Sequence, residues 1–332
     1  MKTQNLIFLI ALAAVLGGAA WFLKRDARPA SAALNGQEIL PDLSLADVAR
    51  IEVGDALVVS AAADGWKIDS LYGYPADRAK IAEHVLALAD LKVGQVVRGR
   101  PLGKETKVVL KDAAGQTLAA LALGDVRLRK AAGGQAAMFG GGAYPDGRYV
   151  AFKGETVLVK DALEVFDGDV RKWCTTRIAS VPAADVQTVS FARGKETFDL
   201  EKDTNGVWRA KGLAASEELD ATRTYALDSA LSYLDFTSVA DPKLTDAELG
   251  FSTGVVYTAT VKSGTNVTKR VVRVGNLAPD GTSRYVKLDD GPWAYAVSTY
   301  AAENFMKTRQ DLIKTKEPPK NRTDAFGFPR AD

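Results

Sequence analysis

The feature that most constrains this chain is a set of short patterns recurring in the same order at an interval of about 140 residues. Asp47-Val48, leading to Ile51 and Val53, returns as Asp185-Val186, leading to Val189 and Phe191. Gly65-Trp66-Lys67 returns as Gly206-Val207-Trp208-Arg209, and Pro75-Ala76-Asp77 as Glu218-Leu219-Asp220. The run Leu118–Leu123 closing on Gly124 returns as Val271–Val274 closing on Gly275, and Arg148-Tyr149-Val150 as Arg284-Tyr285-Val286. Solenoid repeats span only about 20–50 residues. The interval therefore predicts two tandem domains, in keeping with a chain of 332 residues.

Periodicity within each copy gives the elements. Asp77 is placed to cap a helix whose apolar stripe is Ile81, His84, Val85, Leu88 and Leu91, and Asp220 one with Leu227, Leu231 and Leu234. Strand patterns fall at Ile51–Val59, Lys107–Lys111 and Thr117–Leu123, with counterparts at Thr188–Phe191, Tyr257–Lys262 and Lys269–Val274. Ala113-Ala114-Gly115 and Ser263-Gly264 read as hairpin turns. One helix among many strands predicts an α+β fold: two tandem repeats, each an antiparallel β-sheet with one main helix packed on it, after an N-terminal transmembrane helix. The expected boundaries are an anchor at 1–24, a linker at 25–39, repeats at 40–177 and 178–313, and a disordered tail at 314–332.

Asn5–Leu23 carries no charge over nineteen residues. As a helix it would be about 28 Å long, close to the thickness of bilayer hydrocarbon. Trp21 and Phe22 then sit at an interface. The expected role is an uncleaved single-pass anchor. A buried core helix, which would want a polar face, and a cleaved signal peptide ending near Ala30-Ser31-Ala32 are the alternatives. Lys24, Arg25 and Arg28 outnumber the charges before the apolar run, but long domains translocate despite such flanks, so orientation stays open by charge alone.

The inventory of reactive groups is thin. A single histidine, His84, lies on a packing stripe opposite Leu227 of the other copy, and a single cysteine, Cys174, can close no internal disulfide. Histidine-dependent triads and zinc sites therefore lack their material. Gly133-Gly134 and Gly140-Gly141-Gly142 precede a strand rather than opening a helix, and Gly103-Lys104-Glu105 departs from a phosphate loop. Lys and Arg total 43 against 41 Asp and Glu, a net charge of +2 that does not favour nucleic acid. Asp289-Asp290 and Glu217-Glu218 sit in polar turns, and no serine stands in a nucleophile elbow. Trp66 and Trp208 read as duplicated core anchors, with ligand stacking as the alternative. The expectation is no catalytic residue, no metal ligand, no cofactor and no nucleotide.

The patterns together resemble a bacterial family, domain of unknown function 4340. The resemblance rests on the Asp47–Ile51 strand, Gly65-Trp66-Lys67, Pro75-Ala76-Asp77, Leu123-Gly124 and Arg148-Tyr149-Val150, with the second-copy counterparts and Glu248-Leu249-Gly250-Phe251. The first copy departs at the last motif, where Arg100-Pro101-Leu102-Gly103 shares only Leu-Gly. The resemblance implies a membrane-anchored auxiliary component of ABC transport, of the type linked to gliding motility, with its soluble part outside the cytoplasmic membrane. The expected function is thus a non-enzymatic extracytoplasmic (periplasmic) accessory or scaffold subunit of an ABC-type export or envelope-assembly complex. Its partners would be the membrane, crossed once, and proteins of that complex. A free-standing envelope binding module for polysaccharide or peptide is the alternative, and an enzyme of unrecognised type a third reading.

Overall fold

The computed structural model describes residues 34–130 and 142–315. The expected anchor, Gly133-Gly134 and Gly140-Gly141, and the tail beyond Thr315 lie outside those residues. Among the described residues, no helix is long and apolar enough to cross a membrane. The chain divides between Cys174 and Thr175 into two compact units, and antiparallel sheet dominates both.

The first unit holds β1 (Arg50–Val53), β2 (Leu57–Ala62), β3 (Gly65–Ile68), β4 (Tyr74–Ala76), helix α1 (Arg78–Ala89), β5 (Gln95–Val96), β6 (Thr106–Lys111), β7 (Thr117–Lys130), β8 (Ala143–Phe152) and β9 (Glu155–Val159). Its sheet runs β4-β3-β2-β1-β6-β7-β8-β9-β5. Alternation sets the buried face: Ile51 and Val53 on β1, Leu57 and Val59 on β2, and Val108 and Leu110 on β6 are all buried. Full burial of each such side chain contributes about 1.5–3 kcal/mol. The expected single strand Ile51–Val59 is in fact two, because Gly54 adopts φ +54° and folds β1 back on β2. Asp77 caps α1 by accepting from Ala79 N–H at 2.9 Å, and Ile81, Val85 and Leu88 form its buried stripe. The chain joins the fold before Leu40: Ile39 N–H donates to Leu91 O at 2.9 Å, and Ile39 is buried.

The second unit holds β10 (Arg177–Ala179), β11 (Val186–Arg193), β12 (Glu196–Lys202), β13 (Trp208–Ala210), β14 (Glu217–Leu219), helix α2 (Ala221–Ser229), β15 (Leu234–Asp235), β16 (Ser238–Val239), β17 (Val255–Ser263), β18 (Asn266–Leu277), β19 (Ser283–Leu288), β20 (Ala294–Ser298), the short helices α3 (Thr299–Glu303) and α4 (Arg309–Leu312), and β21 (Ile313–Thr315). Its main sheet runs β13-β12-β11-β17-β18-β19-β20-β16. That is the order of the first sheet from β3 to β5, element for element. The difference lies at one edge: β4 pairs with β3, whereas β14 pairs with β21 in a separate ladder. Asp220 caps α2 by accepting from Thr222 N–H at 3.0 Å. Helix α2 ends at Ser229, so Leu231 and Leu234 of the expected stripe are buried beyond it.

One constellation recurs within the long strand of each unit, β7 and β18. Gly124 and Gly275 lie so close to the carbonyl oxygens of Leu102 and Leu249 that a Cβ on either would collide. The next residue closes the contact: Asp125 N–H donates to Leu102 O, and Asn276 N–H to Leu249 O, both at 2.9 Å. Gly103 and Gly250, each at φ +82°, turn the chain away. An arginine then holds each crowded glycine by its carbonyl. Arg148 Nε donates to Gly124 O and Arg284 Nη1 to Gly275 O, both at 2.9 Å. Arg148 is buried, and its Nη1 also reaches Leu163 O at 3.0 Å and Asp167 Oδ1 at 2.7 Å. Gly124→Ala and Gly275→Ala should each destabilise their unit by about 2–3 kcal/mol through backbone overpacking. Arg148→Ala should cost about 3 kcal/mol or more by leaving the buried carbonyls without a donor. Urea unfolding measures all three, and wild-type midpoints for the glycine variants would refute the close approach.

Candidate functional site

The reactive groups legible in the sequence are committed to packing and to backbone. His84 Nε2 lies 3.1 Å from Lys172 O, and its ring meets Trp173 edge-on at 4.8 Å between centroids. Cys174 is fully buried, and desolvation pushes its thiol up to about 11, so little thiolate forms near neutral pH. Asp289 pairs with Arg270 at 2.9 Å, Asp290 with Arg273 at 3.2 Å, and Glu218 with Lys314 at 3.3 Å. Lys104 N–H donates to Asp125 Oδ1, which ties Gly103-Lys104 to the glycine contact rather than to an open loop. Trp208 is buried and Trp66 half-buried. Among the described residues, no three His, Cys, Asp or Glu side chains converge as metal ligands would.

The second unit carries two adjoining clefts that meet at Lys307. The first, about 820 Å³, lies between the β11–β12 turn and the segment before α4. Phe191, Phe198 and Val255 give it an apolar floor; Arg193, Lys195 and Lys307, which make no ion pair among the described residues, line it together with the Glu196 carboxylate. One wall is closed by Arg309, whose two Nη atoms grip Glu217 at 2.8 and 2.7 Å. The second cleft, about 610 Å³, lies between α2 and α3 and is flanked by Tyr233 and Tyr300. Its polar groups are Asn304, Ser229, the carboxylates Glu303 and Asp311, and the cations Arg223 and Lys307.

The second unit also holds a half-buried ion pair beside the buried Trp208 and Tyr257. Lys202 Nζ lies 2.5 Å from Asp228 Oδ1 and 5.2 Å from the centre of the Trp208 ring. Burial, and then the charge of Asp228, push the Tyr257 phenol well above its ordinary value. The Tyr257 hydroxyl and the Trp208 indole N–H are buried with no hydrogen-bond partner among the described residues. Lys202 does carry a sequence signal: it follows Phe198 and Leu200 in alternation, so β12 aims it at the buried face.

These features define a β-rich protein whose open polar clefts sit on a sheet-bearing scaffold, with its packing motifs placed at glycine and arginine. The chain belongs to the family described as Domain of unknown function (DUF4340), whose model matches residues 66–254, from β3 of the first unit to the residue before β17 of the second. No curated protein and no solved structure matches the chain.

The Glu217 carboxylate is the most displaced acid of the cleft. The Arg309 fork, then the Ala214 N–H, hold it down at about 2, against an ordinary 4.5. A depressed carboxylate stabilises the fold above its unfolded value and loses that contribution as the pH falls through the folded one. The β14–β21 ladder should therefore hold above about pH 4.5 and loosen between pH 4.5 and 2. Amide exchange at Glu217–Leu219 across this window is the measurement. Glu217→Gln should remove most of the pH dependence there, and a variant with an unchanged profile would assign it to other groups.

Proposed function

We propose that the chain is a non-enzymatic accessory subunit, anchored once in the cytoplasmic membrane by Asn5–Leu23, with its units outside the cytoplasm as part of an ABC-type export or envelope-assembly complex. The observation that carries the non-catalytic reading is the engagement of the chemistry-bearing side chains. His84, Cys174, Arg148, Glu217 and Asp289 are each occupied in packing, in capping a carbonyl or in a fold-holding ion pair. The two units are, in the same reading, copies of one ancestral unit. The shared strand order and the twice-built glycine–arginine clamp support this. The transport association and the outward orientation rest on the family resemblance, and Lys24, Arg25 and Arg28 weigh against that orientation.

The full-length chain should stay with membranes through a carbonate wash. Protease added to intact spheroplasts should digest both units, and crosslinking before affinity purification should recover the subunits of one ABC transporter. Digestion only after lysis would place the units in the cytoplasm. A mature N-terminus at Ala33 would remove the anchor.

A further inference from the structure

We propose that the two adjoining clefts of the second unit bind an acidic polysaccharide, a chain of uronic-acid-type sugars lying across Lys307. This sharpens the binding-module alternative and does not depend on membership of a transport complex, since it concerns the second unit alone.

The first observation is where exposed aromatic surface lies. Tyr300 and Tyr233, at 79% and 75% exposure, are the two most exposed large apolar side chains among the described residues, and both border the same cleft. An aromatic ring in water is ordinarily a lone surface residue, but two flanking one depression make a stacking platform. Tyr233 is also held in place: the Arg177 guanidinium lies 4.8 Å from its ring centre, and Arg177 is itself fixed by Asp235 at 2.9 Å. The ring is thereby ordered before a ligand arrives, which lowers the entropic cost of binding. At the matching places of the first unit, after α1 and after β9, stand Asp90 and Ala162. The platform belongs to the second unit only.

The second observation is the chemistry on either side of the rings. The C–H face of a pyranose stacks on a tyrosine ring, and its hydroxyls need paired donors and acceptors. Asn304 offers both in one amide and Glu303 offers acceptors, while Asp311 is taken up by Thr308 in the cap of α4. Through Lys307 the surface continues into the cleft holding Arg193 and Lys195, whose charges favour carboxylates. Aromatic platform, hydroxyl-binding amide and cationic extension together fit a sugar polymer that carries acids. An acidic peptide would satisfy the cations but leave the two tyrosines without a role. Of the five basic residues lining the two clefts, Arg309 is paired with Glu217 and Arg223 with Asp220, and the remaining Arg193, Lys195 and Lys307 are too few for a nucleic-acid footprint.

Isothermal titration of the full-length chain in detergent tests this with three probes: an alginate hexasaccharide, the neutral cellohexaose and hexaglutamate. The alginate oligomer should bind, weaken with added salt, and bind at least tenfold more tightly than either control. Tyr233→Ala and Tyr300→Ala should each reduce its affinity about tenfold, consistent with loss of a stacked ring, and Lys307→Gln about threefold or more. Both rings are solvent-exposed, so the melting temperature should stay unchanged and separate lost binding from lost fold. Equal affinity for hexaglutamate, with the tyrosine variants at wild-type strength, would replace the sugar by an acidic peptide held through charge alone. Equal affinity for cellohexaose would remove the role of the cations, and absence of alginate binding would overturn the proposal.

Discussion

Each unit depends on a backbone contact that admits no side chain: a glycine at the bend of a long strand pressed against the carbonyl of a Leu-Gly turn. The contact lets the strand bend while an N–H one residue later keeps the facing carbonyl satisfied. The pairing register with the next strand breaks at the glycine, and an arginine from that strand donates to the glycine carbonyl. In the first unit that arginine is buried and also gathers Leu163 O and the Asp167 carboxylate, so one guanidinium holds the bend and the segment after β9 together. In the second unit Arg284 is only half-buried, and Asn276 takes over part of the work by reaching Glu248 O. The same geometry is thus reached with different polar material.

The interiors differ more than the frames. Register places Val108 opposite Val53 in the first sheet and Tyr257 opposite Phe191 in the second. Nearer the sheet edge, exposed Ala61 faces half-buried Trp66 where half-buried Lys202 faces buried Trp208. The second unit therefore carries a lysine, a tyrosine and, on its helix, Asp228 at places the first fills with apolar or small side chains. The Lys202–Asp228 pair is only partly shielded from water, so it gains little net stability. The second unit carries polar groups there, and it also carries the two clefts described above and the ordered Tyr233.

Much of the frame could be read from the residues because it follows local rules. Asp77 and Asp220 cap helices where capping chemistry puts them, and the Ser263-Gly264 turn closes a tight hairpin. The break at Gly54-Asp55 was hidden because the apolar alternation, interrupted only at Asp55, resumes in phase at Leu57 and reads as one run. The match between Leu102-Gly103 and Leu249-Gly250 looked slight because their flanks differ, yet the contact asks only for a carbonyl and a left-handed glycine. Lys202 was visible as a charge on the buried parity of β12. The clefts were not legible, since Arg193, Tyr233 and Lys307 come together only through tertiary packing and no short pattern links them. Their surroundings in the sequence are those of ordinary surface.

The ladder between β14 and β21 has a consequence for how the chain is made. The first unit binds Asp77 N–H to Trp173 O, so every group it needs has been synthesised once Cys174 is added. The second unit takes its matching bond, from Asp220 N–H, at Leu312 O, and pairs Glu217–Leu219 with Ile313–Thr315. During translation the first unit can close while the second is still emerging. The second must wait with β14 unpaired until its last strand leaves the ribosome. Stalling or truncation shortly before Leu312 would therefore release a finished first unit joined to an open, adhesive sheet edge, the form a quality-control protease would be expected to recognise.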